Sequence, residues 1–255
     1  MEKRTMLITG AGSGIGRGLA EHAARESWHV YVTDLNGQAA DEVVEAIVGG
    51  GGDAVAFELD VTRQDGIQRV LDALAGRRVD VLINNAGLQY VSNLDDFPQE
   101  KWDLLLRVML NGACMMTRAF LPGMKLHGFG RIVNIGSIHS LVASPYKSAY
   151  VSAKHGLLGF SKVIALETAE SDISINTICP SYVRTPLVDK QIASQAKEHG
   201  ISADEVIRDI MLKPMPKGAF ISMEELYGIV AFLVSDCARN ITGQAITVDG
   251  GWTVQ

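Results

Sequence analysis

The chain has little of what marks secreted, membrane-spanning or nucleic-acid-binding proteins. Its 255 residues include three cysteines, Cys114, Cys179 and Cys237, at no paired spacing. A disulfide framework and a metal-ligand set are therefore not expected, and a reducing, cytoplasmic setting is. Basic blocks are missing too. The 23 basic and 29 acidic residues give a net charge of −6, which argues against nucleic acid as the main partner. No apolar run in the sequence approaches the roughly 20 residues that a bilayer span needs. Met1 to Arg4 lead straight into a short apolar strand instead of a signal-peptide core, so no membrane association is expected. Internal repeats are also lacking. The 47% hydrophobic content then points to one compact domain, as α/β chains of this length commonly form.

What is present is an alternation of short β-rich runs with helix-length segments. The strands read as Thr5 to Thr9, Val30 to Thr33, Ala54 to Phe57, Val79 to Ile83, Arg131 to Ile135, Ile173 to Ile178 and Ala245 to Val248. Helices are expected near 14–26, 37–48, 63–75, 100–126, 148–170 and 223–235. Parallel crossovers are right-handed, so this order implies an α/β, Rossmann-type, doubly wound and mainly parallel seven-stranded sheet with helices on both faces. The stretch from Leu187 to Phe220 breaks the alternation with two short helical patterns and a Lys213-Pro214-Met215-Pro216-Lys217-Gly218 segment. An interruption of that length at a strand's carboxyl end suggests a substrate lid.

The first strand runs into Thr9-Gly10-Ala11-Gly12-Ser13-Gly14-Ile15-Gly16. Residues without side chains let backbone approach a pyrophosphate, and the helix that follows presents free N–H groups to it. Asp34, with its neighbour Leu35, ends the second strand, where a carboxylate accepts from an adenine ribose diol and repels a 2′-phosphate. NAD is therefore the expected cofactor, in preference to NADP. Asp60-Val61 after the third strand and Asn84-Asn85-Ala86-Gly87 after the fourth lie on the same sheet edge and are read as the adenine and ribose floor, with turn chemistry as the simpler alternative for each.

A proton-transfer device follows. Tyr150 and Lys154 are four residues apart in a segment with helical pattern, so they share a helix face. A phenol titrates near pH 10. A cation at about 4 Å is worth roughly 4 kcal/mol at an effective dielectric near 20, which is about three pK units. Ser137 follows the Ile132-Val133-Asn134-Ile135-Gly136 run and would sit at the strand's carboxyl end, where open sheets hold ligands. Lys147 stands one helical turn before Tyr150, and its ammonium and the imidazole of His139 supply donors for a small anion.

Taken together, Thr9 to Gly16, Asn84 to Gly87, Ser137 and the Tyr150/Lys154 pair resemble the short-chain dehydrogenase/reductase family over essentially the whole chain. Within it the chain is most similar to the group of bacterial D-3-hydroxybutyrate dehydrogenases. The likeness lies in Asn84 to Gln89, Phe97-Pro98 with Lys101-Trp102-Asp103, Ser137-Ile138-His139, Leu141 to Ser144, Ala153 to Gly156, Leu166 to Ala169, Thr185 to Ile192 and Asp249 to Trp252. The resemblance implies a catalytic set of Ser137, Tyr150 and Lys154. It implies cofactor contacts from Gly10, Gly12, Ser13, Gly14, Ile15, Gly16, Asp34, Leu35, Asp60, Val61, Asn84, Ala86, Gly87, Tyr150, Lys154, Pro180, Val183 and Thr185. Substrate carboxylate would be gripped by residues matching Gln89, His139, Lys147 and Gln191, beside Ser137, Tyr150 and Tyr182. The resemblance also implies a homotetramer, with the long apolar helices near 100–126 and 148–170, and Trp252 to Gln255, as the expected assembly surfaces.

Three departures from the family stand out. An ungapped alignment puts Met109 where relatives carry an asparagine that holds a relay water behind the lysine, and Asn111, two residues on, should point elsewhere on a regular helix. Pro180-Ser181-Tyr182 replaces the usual Pro-Gly-Trp, and Ala193 to Met215 matches poorly. Three readings follow: an NAD-dependent dehydrogenase of a short 3-hydroxy acid, the same chemistry on a cyclic, aromatic or 3-hydroxyacyl alcohol, and a non-catalytic dinucleotide-binding protein.

Overall fold

In the computed structural model, which describes residues 3–254, seven parallel strands form one sheet in the order β3-β2-β1-β4-β5-β6-β7. The strands are β1 (Thr5–Thr9), β2 (His29–Asp34), β3 (Asp53–Glu58), β4 (Val81–Asn84), β5 (Gly130–Ile135), β6 (Ile173–Pro180) and β7 (Ala245–Val248). Between them run α1 (Gly14–Arg25), α2 (Gly37–Gly49), α3 (Gln64–Leu74), α4 (Gln99–Leu106), α5 (Gly112–His127), α6 (Ser148–Glu167), α7 (Pro186–His199), α8 (Ala203–Glu205) and α9 (Met223–Val234). Met1, which opens the expected strand lead-in, and Gln255, which ends the expected assembly surface, lie outside the described residues.

Strand periodicity divides the core. β1 sends Met6 and Ile8 to one face, where Leu19 and Ala23 of α1, Val43 of α2 and Leu226 and Val230 of α9 meet them. Leu7 goes to the other face, against Val70 of α3 and Met116, Phe120 and Met124 of α5. Both sides of the sheet are thus covered, which is why the strands read as continuous apolar runs. The chain winds from β1 outward to β3, then returns to β4 and proceeds the other way. Thr9 and Asn84 therefore end neighbouring strands at the point where the connections diverge, the crevice in which open sheets bind ligands.

Three details differ from the sequence reading. β4 begins at Val81, because the Asp80 side chain, 2% exposed, accepts the Thr5 N–H at 2.8 Å and so holds that strand edge by a carboxylate. α6 stops at Glu167, where Thr168 Oγ1 bonds back to the Ile164 carbonyl at 2.8 Å. The expected helix near 100–126 is also interrupted by a π-helical turn, Arg107–Asn111. The continuous stretch Gln99–His127 has the length and apolarity of a membrane span, a feature that counting apolar runs missed, and it packs on the sheet through Met116, Phe120 and Met124.

The segment after β6 folds into α7, α8 and a second π turn, Val206–Met211, with its own small apolar cluster of Val188, Ile192, Val206 and Met211. Tyr182 and Phe220 tie that cluster to the main body.

Candidate active site

The glycine-rich turn fits a dinucleotide on steric grounds. A Cβ on Gly16 would lie 2.3 Å from the Gly10 carbonyl oxygen and 2.5 Å from Asn85 Nδ2, and one on Gly12 would lie 2.9 Å from Asp34 Oδ2. Gly14 is left-handed (φ +56°) with open space beyond it. Ser13 is the exposed residue before α1, and among the described residues its side chain makes no capping hydrogen bond to that helix. Ile15 is partly buried behind it. Asp34 is both a turn acid and a candidate ribose acceptor: its Oδ1 accepts the Asn36 N–H and its Oδ2 the Gly12 N–H, each at 2.9 Å. Leu35 beside it is exposed, and Val61 is buried. Asp60 is partly committed, since Oδ1 takes both the N–H and the hydroxyl of Thr62.

Thr9, which the sequence reading gave no role in the site, is tied to Asn85 of the proposed ribose floor. Thr9 Oγ1 accepts the N–H groups of Asn85 and Ala86 at 3.0 and 3.1 Å, while Asn85 Nδ2 donates to the Thr9 and Gly10 carbonyls. These bonds clamp the Asn84 to Gly87 turn against the glycine-rich turn. Asn84 itself is buried, with Nδ2 donating to Thr117 and Asn134. A threonine just before the first glycine was the available signal.

Ser137 follows β5 in extended conformation and opens a single 3-10 turn, Ile138–Ser140. Its hydroxyl oxygen accepts the His139 N–H at 3.1 Å, and the hydroxyl lies near enough to the Tyr150 phenol to favour its ionised form. Tyr150 and Lys154 lie on α6, as their spacing predicts. Lys154 is buried, donates to the Ile135 carbonyl at 2.6 Å and sits 5.7 Å from the centroid of the Tyr150 ring. Burial pushes the lysine down to about 8. Burial likewise pushes the phenol up, with the Ser137 hydroxyl opposing it. Among the chain's own groups, then, desolvation outweighs what lowers the phenol.

A second cluster adjoins the first. Lys147 Nζ lies 3.3 Å from His139 Nε2. The His139 ring stands edge-on to Tyr150 and to Trp252, and Tyr182 stacks obliquely on Trp252, each pair 6.2 Å between centroids. Trp252 therefore walls this site, although the sequence reading placed it on an assembly surface. His139 is lowered to about 4, by burial first and by the Lys147 charge second. Its Nδ1 is buried with no well-formed hydrogen bond among the described residues, near the Val142 backbone. Burial lowers Lys147 as well.

The two glutamines are less closely drawn in. Gln89 lies in the loop whose Ser92 N–H donates to the Tyr146 carbonyl at 2.9 Å, next to Lys147. Gln191 lies on α7, and Gln195, one turn further along the same face, has a buried Oε1 without a partner among the described residues. Among the described residues neither Gln89 nor Gln191 hydrogen-bonds Lys147 or His139. Pro180 ends β6, Val183 forms a bridge with Ile221, and Thr185 caps α7 by accepting the Val188 N–H at 3.4 Å. Met109 is 2% exposed and Asn111 is exposed, so the π turn does not bring the asparagine inward.

The same organisation appears in known proteins. Residues 10–253 match the family model described as enoyl-(acyl carrier protein) reductase. The D-beta-hydroxybutyrate dehydrogenase of Rhizobium meliloti is 42% identical, covering 99% of both chains, and that of Cupriavidus necator is 40% identical, covering 99% of this chain and 98% of its own. The chain belongs to the short-chain dehydrogenase/reductase family. A third relative, the 3-oxoacyl-[acyl-carrier-protein] reductase of Thermotoga maritima, is 32% identical over 100% of this chain and 99% of its own. As a short-chain dehydrogenase/reductase the protein is an oxidoreductase acting on CH–OH groups, and the family works with a nicotinamide dinucleotide.

Proposed function

We propose that the protein interconverts D-3-hydroxybutyrate and acetoacetate with NAD. The observation that carries the substrate reading is Lys147, a partly buried cation that has no acidic partner among the described residues and stands beside a neutral His139 with an underused ring nitrogen. Such a pair is costly to keep and is relieved by a carboxylate. Gln89 and Gln191 complete the donor set on this reading, and Tyr182 closes the wall.

The Gly10 to Gly16 turn would hold the pyrophosphate, and Asp34 the adenine ribose, with Leu35, Asp60, Val61, Ala86 and Gly87 lining the adenine side. Pro180, Val183 and Thr185 would border the nicotinamide. The bound dinucleotide supplies the hydride acceptor. Ser137 orients the alcohol oxygen, Tyr150 takes its proton, and Lys154, relieved of its burial by the developing phenolate, stabilises that charge. Lys147, the cationic donor to the substrate carboxylate, is thus separated from the base by one helical turn.

Assay of the purified protein with D-3-hydroxybutyrate and NAD tests the reading directly. Good oxidation of neutral secondary alcohols with indifference to the hydroxy acid would overturn it. The Tyr182–Trp252 stack favours one alternative, a bulkier cyclic, aromatic or 3-hydroxyacyl alcohol, which a ketone panel followed by NADH loss separates. We infer a cytoplasmic homotetramer as well. Support comes from the unpaired cysteines and from exposed Leu126, Val163 and Leu166 on α5 and α6.

A further inference from the structure

The end of the sheet opposite the glycine-rich turn carries an open cleft of about 590 Å³, between the lead-in to β1, the first residues of β2 and β3, and the loop before β4. That volume is in the range of small-molecule sites. The cleft is lined by four cations, Lys3, Arg4, Arg77 and Arg78, against two carboxylates, Asp53 and Asp80, in a chain whose net charge is −6. Both carboxylates are already engaged. Asp53 holds Lys3 at 3.3 Å and His29 Nδ1 at 2.9 Å, while the buried Asp80 pairs with Arg78 and accepts the Thr5 N–H. Arg4 pairs with Asp236, whose side chain is 76% exposed, and an ion pair of that kind is easily exchanged. Arg77 pairs with no carboxylate among the described residues. The positive charge left over therefore belongs to Arg4 and Arg77.

We propose that this cleft binds a small anion built of linked phosphate groups, at a site separate from the dinucleotide crevice. Its guanidinium groups are held in place before any ligand arrives. The Phe129 ring carries those of Arg4 and Arg78, at 4.7 and 5.7 Å from its centroid, which restrains both planes. Burial raises the Tyr31 phenol on the cleft wall, and the Arg77 guanidinium lies near enough to oppose that rise, so the unpaired cation stands against the wall. Donors then approach from two sides, Lys3 and Arg4 from the lead-in to β1 and Arg77 and Arg78 from the loop before β4. A carboxylate offers two oxygens in one plane. Linked phosphates offer tetrahedral oxygens in several directions and carry more charge for their size, which suits guanidinium forks converging from opposite walls. The inference is independent of the substrate and cofactor readings, because the crevice lies at the other ends of the same strands, at Thr9 of β1 and Asn84 of β4.

Calorimetric titration of the full-length protein with tripolyphosphate, with and without saturating NADH, tests the proposal. One site per chain is expected, indifferent to NADH and weaker as ionic strength rises. Arg77→Gln is expected to weaken binding roughly 10-fold, the worth of one charge-assisted contact, and adding Arg4→Gln to weaken it further. Both side chains are exposed, so neither substitution opens the core, and Arg78, which pairs with buried Asp80, is left in place. Absence of binding, displacement by NADH or an unmoved affinity in the double variant overturns the proposal. Equal affinity for citrate overturns its phosphate chemistry. Turnover is not read at any point, so failure to oxidise D-3-hydroxybutyrate would sink the substrate assignment alone.

Discussion

Lys147 Nζ and His139 Nε2 lie 3.3 Å apart at the carboxyl end of the sheet, and no carboxylate of the described residues pairs with either. A cation held there without an anion is organised for a charge brought from outside. Lys147→Ala is expected to raise KM for D-3-hydroxybutyrate by roughly 10- to 100-fold, the worth of a charge-assisted hydrogen bond, while kcat changes little. Steady-state kinetics on the hydroxy acid and on a neutral alcohol check it. An equal loss on both substrates would remove the carboxylate role. Because burial lowers the Lys147 pKa, KM should also rise with pH before the ordinary lysine range is reached.

His139 gives a stability signature of its own. Its folded pKa of about 4 lies below the ordinary 6.5, so between those values the unfolded chain binds more protons than the folded one. Stability is then complete above the unfolded value and falls as pH drops through the window, by up to about 3 kcal/mol for that shift. Urea unfolding from neutral pH down to the lower end of that window should show the slope, and His139→Gln should flatten it. A slope that persists unchanged in the variant would assign it to other groups.

Much of the fold was legible because its signals are local. β1 and β7 were read to the residue, and the glycine turn, Asp34 and the Tyr150/Lys154 spacing are motifs whose geometry follows from strand–turn–helix connectivity. What escaped depends on contacts between distant segments. The π turn before α5 is packed where Gly112 approaches Val61, with a Cβ position only 2.7 Å from Val61 Cγ2, and no window of helical periodicity encodes that. Trp252 reaches His139 across more than a hundred residues. Spacing fixes which face two side chains share and leaves open how far desolvation opposes the cation, and in the fold burial raises the phenol.

On the proposed reading, Asp34 separates the two dinucleotides. Its oxygens accept the Gly12 and Asn36 N–H groups and keep capacity for a ribose diol, while the charge opposes a 2′-phosphate. Asp34→Ser should reduce kcat/KM with NAD by roughly 10- to 100-fold, on the scale of charged hydrogen bonds, and narrow the NAD/NADP ratio by at least as much. Unchanged preference in the variant would locate discrimination elsewhere.

Glycine substitutions distinguish space from backbone preference. Gly16→Ala must displace backbone at Gly10, and is expected to cost about 1–3 kcal/mol and most dinucleotide affinity. Gly49→Ala at the end of α2 meets nothing within 4 Å and should stabilise by up to about 1 kcal/mol. Thermal unfolding with dinucleotide titration reads both, and equal effects at the two positions would contradict the steric account.

Ser137 bears on the base itself. Its hydroxyl pulls the Tyr150 phenol downward, against burial. Removing the hydroxyl leaves desolvation unopposed, so in Ser137→Ala the phenol must titrate higher and the acid limb of kcat/KM for alcohol oxidation must move to higher pH. The substrate oxygen also loses a donor, and the combined loss in kcat is expected at roughly 10²- to 10⁴-fold. A pH–rate profile in which kcat falls while the acid limb stays in place would mean that Ser137 orients substrate without tuning the base. A limb displaced to lower pH would contradict the assignment of Tyr150 as the proton acceptor, since no group that the serine stabilises as an anion can become more acidic on losing it.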